Sequence, residues 1–447
     1  MRINIPKKVR ILLNELTKNN FKGYVVGGCV RDFILNRKPE DWDITTNATP
    51  KEILEVFKKY KTIPTGLKHG TVTVLLEKEA FEITTFRIDG EYIDNRRPEI
   101  VEFTNDIKKD LSRRDFTINA MAYNLEDGLI DPFKGLIDLK KKKIVAVREA
   151  DKRFEEDALR ILRGVRFKTQ LDFNIEKITY KAMNNKGYLL NKISKERIQI
   201  EFNKMLLSSK PSKGIRTLID LEIMKYIIPE INDMVGFNQK NPHHDKDVFN
   251  HTMAVLDNTE SDIILRLSAL LHDIAKPYTF SIDEEGIGHF YKHERVGREL
   301  AGKILKRLKY DKKTIKRVKT LIKEHMLVLP NPTLKATKRF INRVGKDNLN
   351  LHFDLQIADI KGTKPPFCFD HTLKLQRSVE KILNEKQPLS TKDLDINGND
   401  IINLGISQGK EIGIILKELL EKVLEDPKLN TKDKLIGEAK KIIERLN

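Results

Sequence analysis

Residues 27–46 read GGCVRDFILNRKPEDWDITT, and the fold of the first third of the chain is decided by how they are parsed. The preceding YVV is a short β-branched run, Gly27 and Gly28 make a turn, CVRDFIL has helical spacing, and WDITT returns to strand character. In a strand, residues two apart share a face, so Asp41 and Asp43 are expected side by side, with Trp42 turned into the core behind them. Two carboxylates at that spacing form a compact oxygen site suited to Mg²⁺, which keeps its other positions for water and substrate phosphates. The glycine turn lets backbone N–H groups at Gly28 approach a phosphate where a helix begins, and Arg31 is placed to clamp one of its oxygens. A bare D-x-D carries little weight; the glycine turn ahead of it gives the pair its meaning.

Working outward, the pattern up to about residue 145 mixes short strands and helices, with TVTVLLEKEAFEITTF (71–86) as a hairpin and EILEVFKKY (52–60) as a helix. Glu82 on the second hairpin strand is a candidate third carboxylate, although an exposed strand glutamate is an equally good reading. From DKRFEEDALRILRGVRF (151–167) onward the apolar spacing is mostly helical, with breaks near 208–214, 238–247, 362–369 and 384–393. A chain of 447 residues exceeds one ordinary core and is expected to be multidomain. Lys and Arg number 83 against 65 Asp and Glu, a formal charge of +18 that attracts RNA or DNA, with lysine-rich solvated helix faces as the plainer alternative. Two cysteines, Cys29 and Cys368, exclude a disulfide framework. No run approaches ~18 apolar residues, so no membrane span is expected, and with no signal-peptide pattern a reducing cytoplasm is the expected location. The sequence leaves the oligomeric state open.

The ordered motifs GGCVRD…EDWDITT, FRIDGEYIDNRRP (86–98), DLSRRDFTINAMAYN (110–124), DPFKGLIDL (131–139), EEDALRILRGVRF (155–167) and ISKERIQIEF (193–202) resemble those of the class II tRNA nucleotidyltransferases and bacterial poly(A) polymerases. That resemblance implies transfer of a nucleoside monophosphate from CTP or ATP to an RNA 3′ end, with ions held by Asp41 and Asp43 bracing the primer hydroxyl and the departing pyrophosphate. SRRDFTINAMAY (112–123) offers Arg113 and Arg114 to phosphate and Asp115 to a ribose hydroxyl, ahead of an apolar helix; a helix cap is the bland role for Asp115.

On a helix through 155–167, Ala158, Ile161, Leu162 and Val165 form an apolar stripe, while Asp157 and Arg160 share another side and Gly164 falls between them, where a side chain would intrude on a flat base. Asp157 only accepts and Arg160 only donates, which matches cytosine and adenine and rejects uracil and guanine, whose polarity is reversed. The alternative is an ordinary i,i+3 ion pair. The resemblance also assigns Arg163 and Arg166 to the nucleotide, though the wheel puts Arg166 farther round, toward RNA phosphate. The segment 87–98 matches one that two-C-adding relatives lack, so full CCA addition is expected first, A-only addition second and poly(A) synthesis third.

FNHTMAVL (249–256), SALLHDIAKP (268–277), GHFYKHERVG (288–297), IKEHMLV (322–328) and DLQIADIKG (354–362) resemble, in their order, the all-helical HD phosphohydrolase superfamily. The resemblance implies a metal held by His251, His272, Asp273 and Asp359, with His293 and His325 adding a second. Mixed imidazole and carboxylate donors suit a divalent transition metal such as Mn²⁺ or Ni²⁺, and phosphatase or 2′,3′-cyclic phosphodiesterase activity is implied, with a purely structural domain as the alternative. His243, His244 and His289 are expected at the surface or on the substrate side. In the tail, residues 394–426 look like two helices joined through Gly405, Gly409 and Gly413, whose backbone amides can grip a phosphate; the region resembles the C-terminal part of the same tRNA-processing enzymes, which implies a hold on the tRNA body, with an ordinary helical hairpin as the alternative.

The expected architecture is an α+β polymerase-β-type head (1–145), a neck with the nucleotide-selecting helix (146–205), a helical body (206–242), an HD domain (243–365) and a helical tail (366–447). An HD hydrolase whose head merely binds a regulatory nucleotide, and a noncatalytic RNA-binding protein, are the competing classes.

Overall fold

The computed structural model describes residues 3–90, 101–240, 245–385 and 387–446, and the chain divides into two compact units, Met1–Asn232 and Asp233–Asn447. In the first unit, β1 (Gly23–Val26), β2 (Ile44–Thr46), β3 (Lys61–Gly66), β4 (Thr71–Leu76) and β5 (Glu79–Thr85) build most of a seven-stranded sheet. A separate ribbon pairs β6 (Arg87–Asp89) with β7 (Val101–Phe103), and β8 (Ala122–Asn124) with β9 (Gly128–Ile130) completes the sheet in the order β3-β4-β5-β2-β1-β8-β9. The sheet is mixed: β1 runs antiparallel to β2 and β8, whereas β2 and β5 are parallel with Ile44 opposite Ile83. The expected hairpin is β4–β5, turned over Glu77 and Lys78, which both take positive φ as a twist-matched two-residue loop requires.

The unit's helices are α1 (Lys7–Lys18), α2 (Gly28–Ile34), α3 (Pro50–Val56), α4 (Ile107–Ser112), α5 (Gly135–Lys140), α6 (Ala150–Glu156), α7 (Leu159–Leu171), α8 (Lys177–Lys186), α9 (Lys195–Leu206) and α10 (Pro211–Asp220). α3 starts with a capping box between Thr49 and Glu52 and a proline in its first turn, but ends at Val56, short of the 52–60 run.

Three expectations are corrected. Trp42 is only half-buried and lies before β2, which begins at Ile44; the ladder nevertheless reaches back one residue, because the Val26 N–H donates to the Asp43 carbonyl at 3.0 Å. No apolar helix follows SRRD: a single 3-10 turn, Thr117–Asn119, leads into β8, since pairing of Ala122 and Tyr123 with β1 satisfies that backbone and buries the same side chains. The 155–167 segment is not one helix either; α6 and α7 break at Asp157, whose φ and ψ are −141° and 103°. The stripe Ala158, Ile161, Leu162 and Val165 is buried as its spacing requires.

The second unit is helical: α11 (Val248–Asp257), α12 (Ile263–Leu271), α13 (His293–Arg307), α14 (Lys312–Glu324), α15 (Leu334–Val344), α16 (Leu349–Gly362), α17 (Asp370–Asn384), α18 (Gly398–Ile402), α19 (Lys410–Glu425) and α20 (Lys432–Leu446). α12 is buried from Ile264 to Leu271 and forms its centre. α15, α16 and α17 share a core built on Phe340, Phe353 and Val379, and the tail helices α18 to α20 share another built on Ile401, Leu419 and Ile442. The expected pair of tail helices is α18 and α19, with Gly405 at positive φ between them and Gly409 capping α19. Residues 91–98 of the segment 87–98, together with His243 and His244, lie outside the described residues. Among the described residues, no helix is long and apolar enough to cross a membrane.

Candidate active site and metal centre

β1 ends at Val26, and at Gly27 just after it φ is +80°, a conformation that favours glycine. A Cβ there would stand 3.0 Å from Nη1 of Arg114, so the missing side chain also admits that guanidinium. Behind the turn, Gly27, Gly28, Arg31, Asp43, Arg114, Asp115, Asp157, Arg160, Arg163 and Arg166 line one cavity of about 410 Å³. The structure thus brings together every expected nucleotide-binding residue. Of the expected pair of acids, Asp43 lines the cavity, whereas Asp41 is exposed beside it. Arg113, Asn119, Leu159, Phe167 and Arg197 complete the lining.

Seven arginines against three carboxylates give the cavity a strong preference for a polyanion such as a triphosphate. Their positions are fixed. Arg31 donates through Nη1 to Asn119 Oδ1 at 2.7 Å and pairs with Asp32 at 2.9 Å. Asp115 accepts from the Phe116 N–H at 2.8 Å, from Asn119 at 3.2 Å and from Arg163 at 2.7 Å. Burial opposes ionisation of Asp115, but the Arg163 guanidinium and these hydrogen bonds overcome it and hold the carboxyl at about 2. Arg166 takes Glu201 as its counter-ion at 3.2 Å, and burial lowers the guanidinium to about 10 even so. The guanidinium carbons of Arg31, Arg163 and Arg166 stand 5.1, 5.4 and 4.3 Å from the centroid of the Phe167 ring, a shared cation–π support. Arg166 therefore lines the same cavity as Arg31 and Arg163.

At the break between α6 and α7, one Asp157 oxygen accepts the Leu159 N–H at 3.1 Å and the other accepts from Arg197 of α9 at 2.8 Å. Arg160 donates to the carbonyls of Arg153 and Arg113 at 3.0 and 2.9 Å and to Glu156 at 2.6 Å. Asp157 and Arg160 are held by neighbours rather than by a shared helix face. Gly164 does not face a base: a Cβ there would meet Phe116 at 2.9 Å and Met183 at 3.1 Å, so the glycine serves close packing.

Asp43 keeps an open side to the cavity, yet desolvation raises its carboxyl, with Arg114 opposing and Asp41 reinforcing. Glu82, raised by burial and then by Asp43 and Asp41, sits opposite Asp43 when the β2–β5 register is extended by one residue. Asp43 and Glu82, both raised with Asp41 contributing, form with it a carboxylate set that a divalent cation would relieve.

The second centre lies wholly in the second unit. His251 of α11, His272 and Asp273 after α12, His293 at the start of α13, His325 after α14 and Asp359 of α16 converge, all buried except the partly exposed Asp359. His251 Nε2 stands 3.0 Å from Asp359 Oδ1 and 3.6 Å from Asp273 Oδ2; His272 Nε2 is 3.2 Å from Asp273 Oδ2. On the other Asp273 oxygen, His293 and His325 approach to 3.4 and 4.0 Å. Asp273 consequently belongs to two candidate ligand groups, one with His251 and His272 and one with His293 and His325.

The rings are oriented for this role. Nδ1 of His272, His293 and His325 faces the carbonyls of Ala269, Phe290 and Ile322 at 2.7–2.8 Å, which takes each ring N–H and leaves Nε2 as a lone pair. The Nε2 atoms meet in twos, His251 with His272 and His293 with His325, each at 3.4 Å, an arrangement a cation would satisfy. Burial, and then His272, hold His325 at about 4. Lys276, buried and 2.7 Å from Asp273 Oδ2, with Gln239 as its other partner at 2.8 Å, was not found from sequence, although HDIAK contains it. His289 pairs instead with Asp283 at the surface.

A polymerase head with an appended HD unit is the class that this fold and these sites define, and comparison agrees. Residues 23–145 match the Poly A polymerase head domain, 172–235 the probable RNA and SrmB-binding site of polymerase A, and 244–360 the HD domain. A CCA-adding enzyme of Ligilactobacillus salivarius is 35% identical over 447 residues, covering 99% of this chain and 98% of that protein. Structurally, the Bacillus stearothermophilus CCA-adding enzyme in complex with CTP aligns over 98% of both chains with a TM-score of 0.75 at 24% identity. The Thermotoga maritima CCA-adding enzyme complexed with tRNA aligns over 98% of this chain and 96% of that one, with a TM-score of 0.59 at 23% identity. The chain belongs to the family of CCA-adding enzymes.

Proposed function

We infer that the protein is a tRNA nucleotidyltransferase that adds CCA to tRNA 3′ ends from CTP and ATP without a nucleic acid template. The observation that carries this is the single cavity in which Asp43, the glycine turn, the arginines and the Asp157–Arg160 pair meet. In the reaction the primer 3′ oxygen attacks the α-phosphorus and pyrophosphate departs. Mg²⁺ held by Asp41 and Asp43, with Glu82 beside them, would acidify the primer hydroxyl and offset charge on the departing pyrophosphate. Arg31, Arg114, Arg163 and Arg166 hold the triphosphate, and Asp115, whose carboxylate stays ionised, accepts from the ribose. Asp157 accepts the amino group of cytosine or adenine and Arg160 donates to the adjacent ring nitrogen; uracil and guanine would leave both partners unpaired. A tRNA ending before CCA, offered CTP and ATP singly and together, tests this. Two residues added with CTP and a third only when ATP is present is the expected result; extension by ATP alone into a long tail would overturn it.

A second activity is favoured by the twofold use of Asp273. His251, His272, Asp273 and Asp359 would hold one divalent transition metal such as Mn²⁺ or Ni²⁺, and Asp273, His293 and His325 a second. Metal there would activate water toward a phosphoester, which makes a terminal phosphate or 2′,3′-cyclic phosphate on a damaged RNA end the fitting substrate. Lys276 holds Asp273 in place for both groups. Elemental analysis with hydrolysis of a cyclic-phosphate RNA end tests this; metal-free protein that is inert there but still adds nucleotides reduces the unit to a scaffold. The tail helices α18–α20 would hold the tRNA body, and the boundaries 145, 205, 242 and 365 stand as proposed limits of head, neck, body and HD domain.

A further inference from the structure

The second unit has another concavity, about 410 Å³, whose lining includes none of the six metal-centre residues. Arg298 of α13, Lys312, Lys316, Lys319 and Lys323 of α14, and Arg343 of α15 supply its charge, and Glu324 is the lone carboxylate in its lining. The four lysines are spaced by four, three and four residues, so they occupy one face of α14 and extend along about 16 Å of it. That face cannot turn away, because Val318, Leu321 and Ile322 on the other side are buried.

The groove is built rather than merely solvated. Gly302 lets α13 approach, since a Cβ there would lie 3.0 Å from the Lys319 side chain, and Lys319 is pinned by Glu299 at 2.9 Å. Arg343 reaches Glu324 at 3.6 Å. Lys312 and Lys316, by contrast, are exposed. Lys323 reaches Glu324 at 3.2 Å, so among the like-charged pairs four apart it is Lys312 with Lys316 whose repulsion an external anion would offset. An elongated row of cations suits a repeating phosphate chain better than one compact anion, and it carries no base-reading geometry.

We propose that this groove binds the sugar-phosphate backbone of the tRNA substrate, independently of sequence. The proposal rests on the tRNA-processing reading given above. Its test is binding of a tRNA lacking CCA, measured over a range of salt, to wild type and to Lys312→Glu/Lys316→Glu, with inorganic tripolyphosphate as a second probe. The variant should bind tRNA roughly tenfold more weakly, with a log Kd against log salt slope shallower by about 1 to 2, as expected for two lost phosphate contacts. Its melting temperature, and its kcat and KM for CTP at saturating tRNA, should stay at wild-type values, and Lys312→Arg/Lys316→Arg should restore binding. Unchanged tRNA affinity and slope would overturn the groove while leaving nucleotide addition standing. Loss of tripolyphosphate binding alone would make it a small-anion pocket and overturn the proposal too. Failure of the wild type to bind or extend tRNA would overturn both readings.

Discussion

Arg197 donates to the Asp157 carboxylate across 2.8 Å from a helix forty residues later in the chain. The acceptor proposed to recognise the amino group of C and A is therefore aimed by α9, while its other oxygen is occupied by the Leu159 N–H. Arg197→Met should release that carboxylate and relax selection. Measured with all four nucleotides, misincorporation of U should rise about tenfold or more, consistent with ~1–3 kcal/mol for an unpaired buried group. Asp157→Ala with Arg160→Ala should abolish discrimination altogether.

Asp41→Ala and Asp43→Ala should each reduce nucleotide addition by at least ~10³-fold, as loss of a carboxylate that positions and neutralises would. Hydrolysis at the HD centre, assayed on a cyclic-phosphate RNA end, should persist in both variants.

Because Asp273 serves both histidine groups, Asp273→Ala should empty both metal positions, whereas His293→Ala should lower occupancy of one. Metal content per chain, read by elemental analysis after extensive dialysis, separates these outcomes, and CCA addition should be unaffected in either variant.

His352 of α16 is buried, with neither ring nitrogen hydrogen-bonded among the described residues, and packs edge-on against Phe340 at 5.0 Å. Burial, and then the charges of His325 and Arg343, push it down to about 3. The unfolded chain takes up this proton near pH 6.5 and the folded one only near 3, so the unfolded state binds more protons in between. Stability is thus fully present above pH 6.5 and falls as pH drops toward 3, by at most ~1.4 kcal/mol per pH unit from this group. Denaturant midpoints from pH 7.5 to 4.5 should fall less steeply for His352→Leu.

Gly164→Ala should lower the melting temperature through overlap with Phe116 and Met183, a cost of ~1–3 kcal/mol. C and A selection should not change, which distinguishes a packing glycine from one facing a base.

Local pattern sufficed where function and secondary structure coincide. The Gly27 turn and the apolar stripe of α7 follow from local pattern, and the convergence of the six histidines and aspartates of the second unit from an ordered family pattern. What the sequence concealed was tertiary. The break at Asp157 depends on side-chain caps that the helical wheel ignores, and Arg197 reaches it from forty residues away. Gly164 invited a functional reading because no periodicity reveals that Phe116 lies above it. Trp42 looked like core because alternation was extended two residues beyond the true start of β2. The sharing of Asp273 between two histidine pairs arises only when four helices, α11 to α14, meet.

The arginine-lined cavity draws its residues from Gly27 to Arg197, and the histidine cluster draws its own from His251 to Asp359. No side chain is common to both. If the proposed hydrolysis accompanies nucleotide addition, mutation can erode it in a descendant lineage while selection preserves the other, and a relative stripped of its imidazoles would still inherit the whole arginine-lined cavity.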